Sequence, residues 1–250
     1  MSSPEVVVYR DADELAQATG QRLLETVIAA QADGRTARVV LTGGGSGIGL
    51  LKAITTLPAR DDVDWARVEF FWGDERFVAA DDPERNDLQA RQALLDSLPV
   101  DPALVHPMAA SDGEFGADVD AAAAAYAALL GDEPSFDVVM LGIGPEGHVA
   151  SIFPDSPAVH DDRTVVAVRD CPKPPPTRIS LTLPTIRTAA EVWIVTAGEG
   201  KAQAVATALA GAGEVSLPAA GALGTSRTLY LLDESAAGEV SADPAPTGHS

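Results

Sequence analysis

Four short apolar runs in this chain each stop at glycine. Ala37–Leu41 runs into Gly43-Gly44-Gly45, Val68–Trp72 into Gly73, Phe136–Leu141 into Gly142 and Gly144, and Glu191–Thr196 into Gly198 and Gly200. Runs of this length, rich in Val, Leu, Phe and Trp, read as buried strands. Helical patterns separate them: a first helix capped by Asp11 or Asp13 with Leu15, Ala18, Leu23, Val27 and Ile28 on its apolar face, then helices from about Gly47 to Leu57, Glu84 to Leu98, Glu114 to Leu130 and Lys201 to Leu209. Strand–turn–helix repeated along a chain predicts an α/β fold: a single doubly wound, mostly parallel sheet with helices on both faces. Further strands are predicted at Val6–Tyr9, Thr164–Val168, Arg178–Leu183 and Thr228–Leu232. Residues 1–235 are read as one domain, and 236–250, small, polar and Pro-containing, as a flexible C-terminal tail.

The charge balance narrows the function. With 17 basic against 37 acidic residues the net charge is −20, which argues against nucleic acid or an anionic membrane as partner. An anionic substrate would then need a locally basic pocket, so the few basic residues beside glycine turns are informative. Cys171 is the single cysteine, excluding an intramolecular disulfide and a cysteine-based zinc site and suiting a reducing cytoplasm. The N-terminus lacks the pattern of a signal peptide, and no apolar run approaches the ~20 residues of a membrane span. A soluble cytoplasmic protein, monomer or weak homo-oligomer, is expected.

Five segments carry candidate chemistry. Gly43-Gly44-Gly45-Ser46, between a strand and a helix, offers backbone N–H groups to a phosphate; it is neither a Walker loop nor a G-x-G-x-x-G turn. Asp74-Glu75-Arg76 follows the aromatic strand as a charged loop, and its arginine suits phosphate or an oxyanion. Gly142-x-Gly144-x-x-Gly147 matches a dinucleotide fingerprint by pattern, but Pro154 and Pro157 leave no room for the helix such a site requires. What the turn does offer is Glu146 and His148, a carboxylate and an imidazole at a strand end, equipment for moving a proton near pH 7. Pro174-Pro175-Pro176 stiffens a loop that ends in Arg178. Lys201 stands at a helix start, where the helix dipole disfavours a cation unless an anion lies between them.

These motifs, in this order from about Val6 to Leu232, resemble the 6-phosphogluconolactonases, within the broader group that also holds the glucosamine-6-phosphate deaminases. The resemblance rests on Gly43–Gly45, Asp74-Glu75-Arg76 with Asn86, Gly142-x-Gly144-Pro145-x-Gly147-His148 with Ala150-Ser151-x-Phe153-Pro154, the triple proline with Arg178-Ile179, and Gly198-x-x-Lys201. It implies a modified doubly wound domain that hydrolyses a sugar-phosphate lactone without metal or cofactor. His148 would be the general base, Glu146 its orienting partner and Arg76 the oxyanion group. Gly43, Gly44, Gly45, Ser46, Arg178 and Lys201 would hold the phosphate, with Asp74, Glu75 and Asn86 in support. Glu146 stands where such proteins often carry Asp. The deaminase branch carries a carboxylate five residues after the histidine, where this chain has Phe153, so lactonase is the expectation and deaminase the rival. A sugar-phosphate sensor is the non-enzymatic alternative.

Overall fold

The computed structural model describes residues 3–240. The main sheet has six strands, all parallel, in the order β1-β9-β8-β5-β2-β3: β1 is Glu5–Tyr9, β2 Ala37–Leu41, β3 Val68–Trp72, β5 Val138–Leu141, β8 Glu191–Thr196 and β9 Arg227–Asp233. Six α-helices accompany it: α1 Ala12–Gln31, α2 Gly44–Ile54, α3 Asn86–Ala93, α4 Val119–Leu130, α5 Leu183–Ile186 and α6 Ala202–Leu209.

The inner strands are buried on both faces, so their sequences are continuously apolar rather than alternating. The period of 2 still sorts them. Val39, Leu41, Val138, Met140, Trp193 and Val195 face a core shared with α1, α2 and α3, whereas Val40, Val139, Leu141, Val192 and Ile194 face one shared with α4 and α6. Each fully buried side chain of this size contributes roughly 1.5–3 kcal/mol.

Several element boundaries differ from the sequence reading. The helix predicted from Gly47 begins at Gly44, whose φ of +78° turns the chain out of β2. The helix predicted over Glu114–Leu130 starts only at Val119, after Gly116 at φ +51°, with the Asp118 carboxylate accepting the Ala121 N–H. The helix predicted over Glu84–Leu98 is α3 followed by a separate 3-10 turn, Leu95–Ser97. Asp11, not Asp13, caps α1, accepting the Glu14 N–H at 2.9 Å. Of the tail, 241–250 lie outside the described residues. Ala236 is fully buried, and Val240 packs against the core.

The largest departure is a second sheet. Asp74–Arg76, predicted as a loop, is strand β4, and it pairs antiparallel with β7 (Arg178–Leu181), which pairs with β6 (Val165–Val168). Gly73 joins the two sheets: its N–H donates to Leu41 O and its carbonyl accepts the Leu181 N–H. The small sheet therefore stands at the carboxyl end of the large one.

The sheet order also places the site. From β2 the chain moves to one neighbour, β3, and later returns to the other, β5. The turns after β2 and β5 thus diverge and leave a crevice at the carboxyl ends of the strands, the position where open α/β sheets bind ligands.

Candidate active site

That crevice holds a cavity of about 300 Å³. Its floor is formed by the ends of β2, β5 and β8 at Thr42, Gly142 and Thr196, and one wall by Gly43–Gly47. The small sheet supplies Asp74, Arg76 and Arg178, and loops bring in His148, Lys173 and Lys201. Of the residues singled out from sequence, Gly43, Gly44, Gly45, Ser46, Asp74, Arg76, Asn86, His148, Arg178 and Lys201 line the cavity, while Glu75 and Glu146 stand behind it.

The turn Gly142–His148 is built around the histidine. The Gly147 N–H donates to Gly144 O and the Gly144 N–H to His148 O, both at 2.9 Å. Gly147 sits at φ +91°. Gly144 is needed for space: a Cβ there would lie 2.0 Å from His148 Nδ1 and 2.8 Å from Glu146 Oε2. On its other side the imidazole packs on Phe153, ring centroids 4.5 Å apart. No helix follows these glycines; the chain runs through turns to a 3-10 segment at Pro157–His160, as the prolines require.

Glu146 reaches the histidine. Its Oε1 lies 3.1 Å from His148 Nδ1, although off the line that a ring N–H would take, so that Nδ1 has no hydrogen-bond partner among the described residues. The other oxygen accepts from Lys173 Nζ at 2.9 Å. Burial lowers the His148 pKa below its ordinary value; Glu146 and Asp74 oppose this and Lys173 adds to it. Burial would raise Glu146, but its own backbone N–H, Lys173 and His148 outweigh that and hold it low. The pair is therefore poised as neutral imidazole beside carboxylate.

The small sheet organises the remaining charges. Residues 74 and 76 share one face of β4, opposite Ser180 and Arg178. Asp74 accepts the Ser151 hydroxyl at 2.6 Å and lies 3.8 Å from an Arg178 nitrogen. Arg178 is 5% exposed and donates to the carbonyls of Pro175, Lys173 and Pro174, so much of its bonding capacity fixes the proline loop. Arg76 donates to Glu84 O, and its Nε has no partner among the described residues. Glu75 points to the other face, fully buried, accepting the N–H groups of Arg76, Asn86 and Asp87 at 2.8, 2.7 and 2.9 Å. It thereby caps α3 from a different element, while Asn86 ties back to Asp74 O at 2.8 Å.

Three features make the cavity attractive to an anion. The first turn of α2 has no side-chain cap, leaving N–H groups free at the positive end of the helix dipole. Lys201 at the start of α6 has its pKa lowered by burial and by the nearby Lys173, a strain on the cation that an anion would relieve. The third is Arg76, whose Nε has no partner among the described residues. Lys173 is the site residue that the sequence reading did not single out; its place beside a triple proline is visible in sequence, its partner is not.

The uncapped helix start after the glycine turn, the strand-end histidine–carboxylate pair and the cationic residues of the small sheet together define an α/β protein with a strand-end cavity suited to a small anionic ligand. The comparisons narrow this: residues 10–231 match the family described as glucosamine-6-phosphate isomerases/6-phosphogluconolactonase, and the chain belongs to that family. It is 56% identical to a 6-phosphogluconolactonase of Streptomyces coelicolor over 95% of each chain, and 52% identical to one of Mycobacterium tuberculosis over 95% of this chain and 99% of the relative. Among solved structures, 6-phosphogluconolactonase from Trypanosoma brucei superposes with a TM-score of 0.84 at 26% identity, covering 96% of this chain and all of that one. A monomeric glucosamine-6-phosphate deaminase at 20% identity shares the fold with a TM-score of 0.78.

Proposed function

We propose that this protein hydrolyses 6-phosphoglucono-δ-lactone to 6-phosphogluconate, with His148 as general base. The observation that carries the reading is the placement of His148: held between Gly144 and Phe153, with Glu146 at Nδ1, on the wall of a cavity that also presents an uncapped helix N-terminus and Lys201. With the proton on Nδ1, facing the carboxylate, Nε2 is the free acceptor.

In the first step Nε2 takes a proton from water as the water oxygen bonds to the lactone C1 and the carbonyl electron pair moves onto oxygen. Arg76 meets the oxyanion. In the second step the C1–ring oxygen bond breaks, the imidazolium returns its proton to the leaving ring oxygen, and the acid formed ionises to carboxylate. The α2 N-terminus, Ser46, Lys201 and Arg178 hold the phosphate. Glu146 favours the transient imidazolium as the third member of a triad does.

Phe153 supports the lactonase branch over the deaminase. Its ring lies against the imidazole where the deaminase pattern would set a carboxylate, and lactone hydrolysis needs only one activated water. The acidity of the chain supports a small-molecule partner rather than nucleic acid or membrane. Among the described residues no helix is long and apolar enough to cross a membrane.

The test is turnover of freshly made lactone, coupled to 6-phosphogluconate oxidation. His148→Ala is expected to lower kcat by about 10²–10⁴-fold with little change in KM. Near-full activity in that variant would overturn the mechanism, and ammonia release from glucosamine 6-phosphate by the wild type would favour the other branch.

A further inference from the structure

Lys173 lies on the loop between β6 and β7, 27 residues from Glu146 in sequence, and closes on it at 2.9 Å. Glu146 therefore spans two partners, Lys173 at one oxygen and His148 Nδ1 at the other. Without Lys173, a glutamate that is about one-third exposed would be free to swing its longer arm into solvent. We propose that Lys173 is a positioning residue: through its ion pair it holds Glu146 against His148 and sets the protonation of the imidazole, without itself touching the reacting atoms. The inference rests on His148 being the general base.

Two observations separate this from a role in folding. The loop is fixed by Arg178, whose guanidinium binds the backbone carbonyls of Lys173, Pro174 and Pro175. The side chain of Lys173 is 43% exposed and belongs to neither apolar core. Its removal leaves the loop anchored and the carboxylate loose.

The charges around His148 fix the expected direction. Glu146 on its own turn and Asp74 on β4 favour the imidazolium; Lys173 on the proline loop opposes it. Arg178 lies on Asp74, and Lys201 feels both Lys173 and Glu146. Replacing Lys173 by a neutral residue removes the opposing cation, but it also frees Glu146, the stronger influence and the one that favours the imidazolium, so as Glu146 swings away the imidazole becomes harder to protonate. The acid limb of the kcat/KM profile then moves to lower pH, and kcat falls as Glu146 loses its fixed orientation.

The experiment is Lys173→Met and Lys173→Arg, compared with the wild type by the pH profile of kcat/KM and by NMR titration of the His148 ring in the ligand-free protein. The inference expects a downward shift of the His148 titration and a several-fold or greater loss of kcat in Lys173→Met, with KM changing less, and recovery of both in Lys173→Arg. An unshifted or upward-shifted titration with wild-type kcat overturns it, since Glu146 would then keep its place without Lys173. So does a rise in KM alone, which would mark Lys173 as a substrate contact instead. The NMR titration is read without substrate, so a protein that failed to turn over the lactone would defeat the proposed function while leaving the Lys173–His148 coupling open to this measurement.

Discussion

Arg76 and Arg178 stand directly opposite each other across the β4–β7 ladder. Like charges in that position destabilise a strand pair. Asp74, 3.8 Å from Arg178, and Glu84, whose carboxylate is 3.9 Å from Arg76, offset the repulsion only in part. The Arg76 Nε has no partner among the described residues. An anion beside the two guanidinium groups would satisfy Arg76 and offset the repulsion, and arginine is suited to binding carboxylate or phosphate through two parallel hydrogen bonds. Ligand that binds only the folded protein at 100 times its Kd stabilises by about 2.7 kcal/mol. 6-Phosphogluconate is therefore expected to raise the Tm of the wild type, and Arg76→Met to lose most of that gain while being no less stable than the wild type without ligand. Thermal melts over a 6-phosphogluconate titration measure both. A full ligand-induced shift in Arg76→Met would remove Arg76 from the site.

Gly144 is held to glycine by the side chains of His148 and Glu146 rather than by its backbone. Its φ is not in the left-handed region, so alanine is allowed there as a conformation. The obstacle is His148 Nδ1, 2.0 Å from where the new methyl would sit. Gly144→Ala must therefore displace the imidazole while the buried strand before it stays in place. A shift of about 1 Å in a reacting group can cost on the order of 10²-fold in rate. The expected outcome is a kcat loss of that order with an unchanged circular dichroism spectrum. Wild-type kcat would mean that His148 has room to move aside and still act.

The sequence exposes some of this site and hides the rest for physical reasons. Glycine-ended strands have a local signature, so the α2 turn, His148 and the parallel main sheet are legible in the chain alone. The small sheet is not. β4 is three charged residues long, without the apolar alternation that marks a strand, and it becomes one only by pairing with β7, far along the chain. Lys173 is hidden for the same reason, since its partner is brought to it by that sheet and not by neighbouring sequence. The role of Glu75 is equally non-local: as a charged residue after an aromatic strand it reads as solvent-facing, whereas the twist into β4 turns it inward under the N-terminus of α3.

Glu75 makes a pH-dependent contribution to stability that can be isolated. Burial pushes its carboxyl up to about 7, against the pull of Arg85 and the backbone N–H groups of Asn86 and Asp87. The ordinary value for such a group is 4.5, so the folded protein holds this proton more tightly than the unfolded chain does. Stability from this group is then fully present below the unfolded value and is lost as pH rises through about 7. Glu75→Gln removes the titration, but it turns an amide NH₂ toward N–H donors that now lack an acceptor, a cost of roughly 1–3 kcal/mol. Urea unfolding of both proteins between about pH 4.5 and 8 should therefore show the wild type ahead by the largest margin at the acid end, with the margin narrowing as pH rises through 7. Taking the difference between the two proteins cancels the titrations common to both. A margin that stays constant across the range would mean that Glu75 keeps its charge state throughout, with Arg85, whose guanidinium nitrogen lies 3.7 Å away, and the α3 N-terminus holding it ionised despite complete burial.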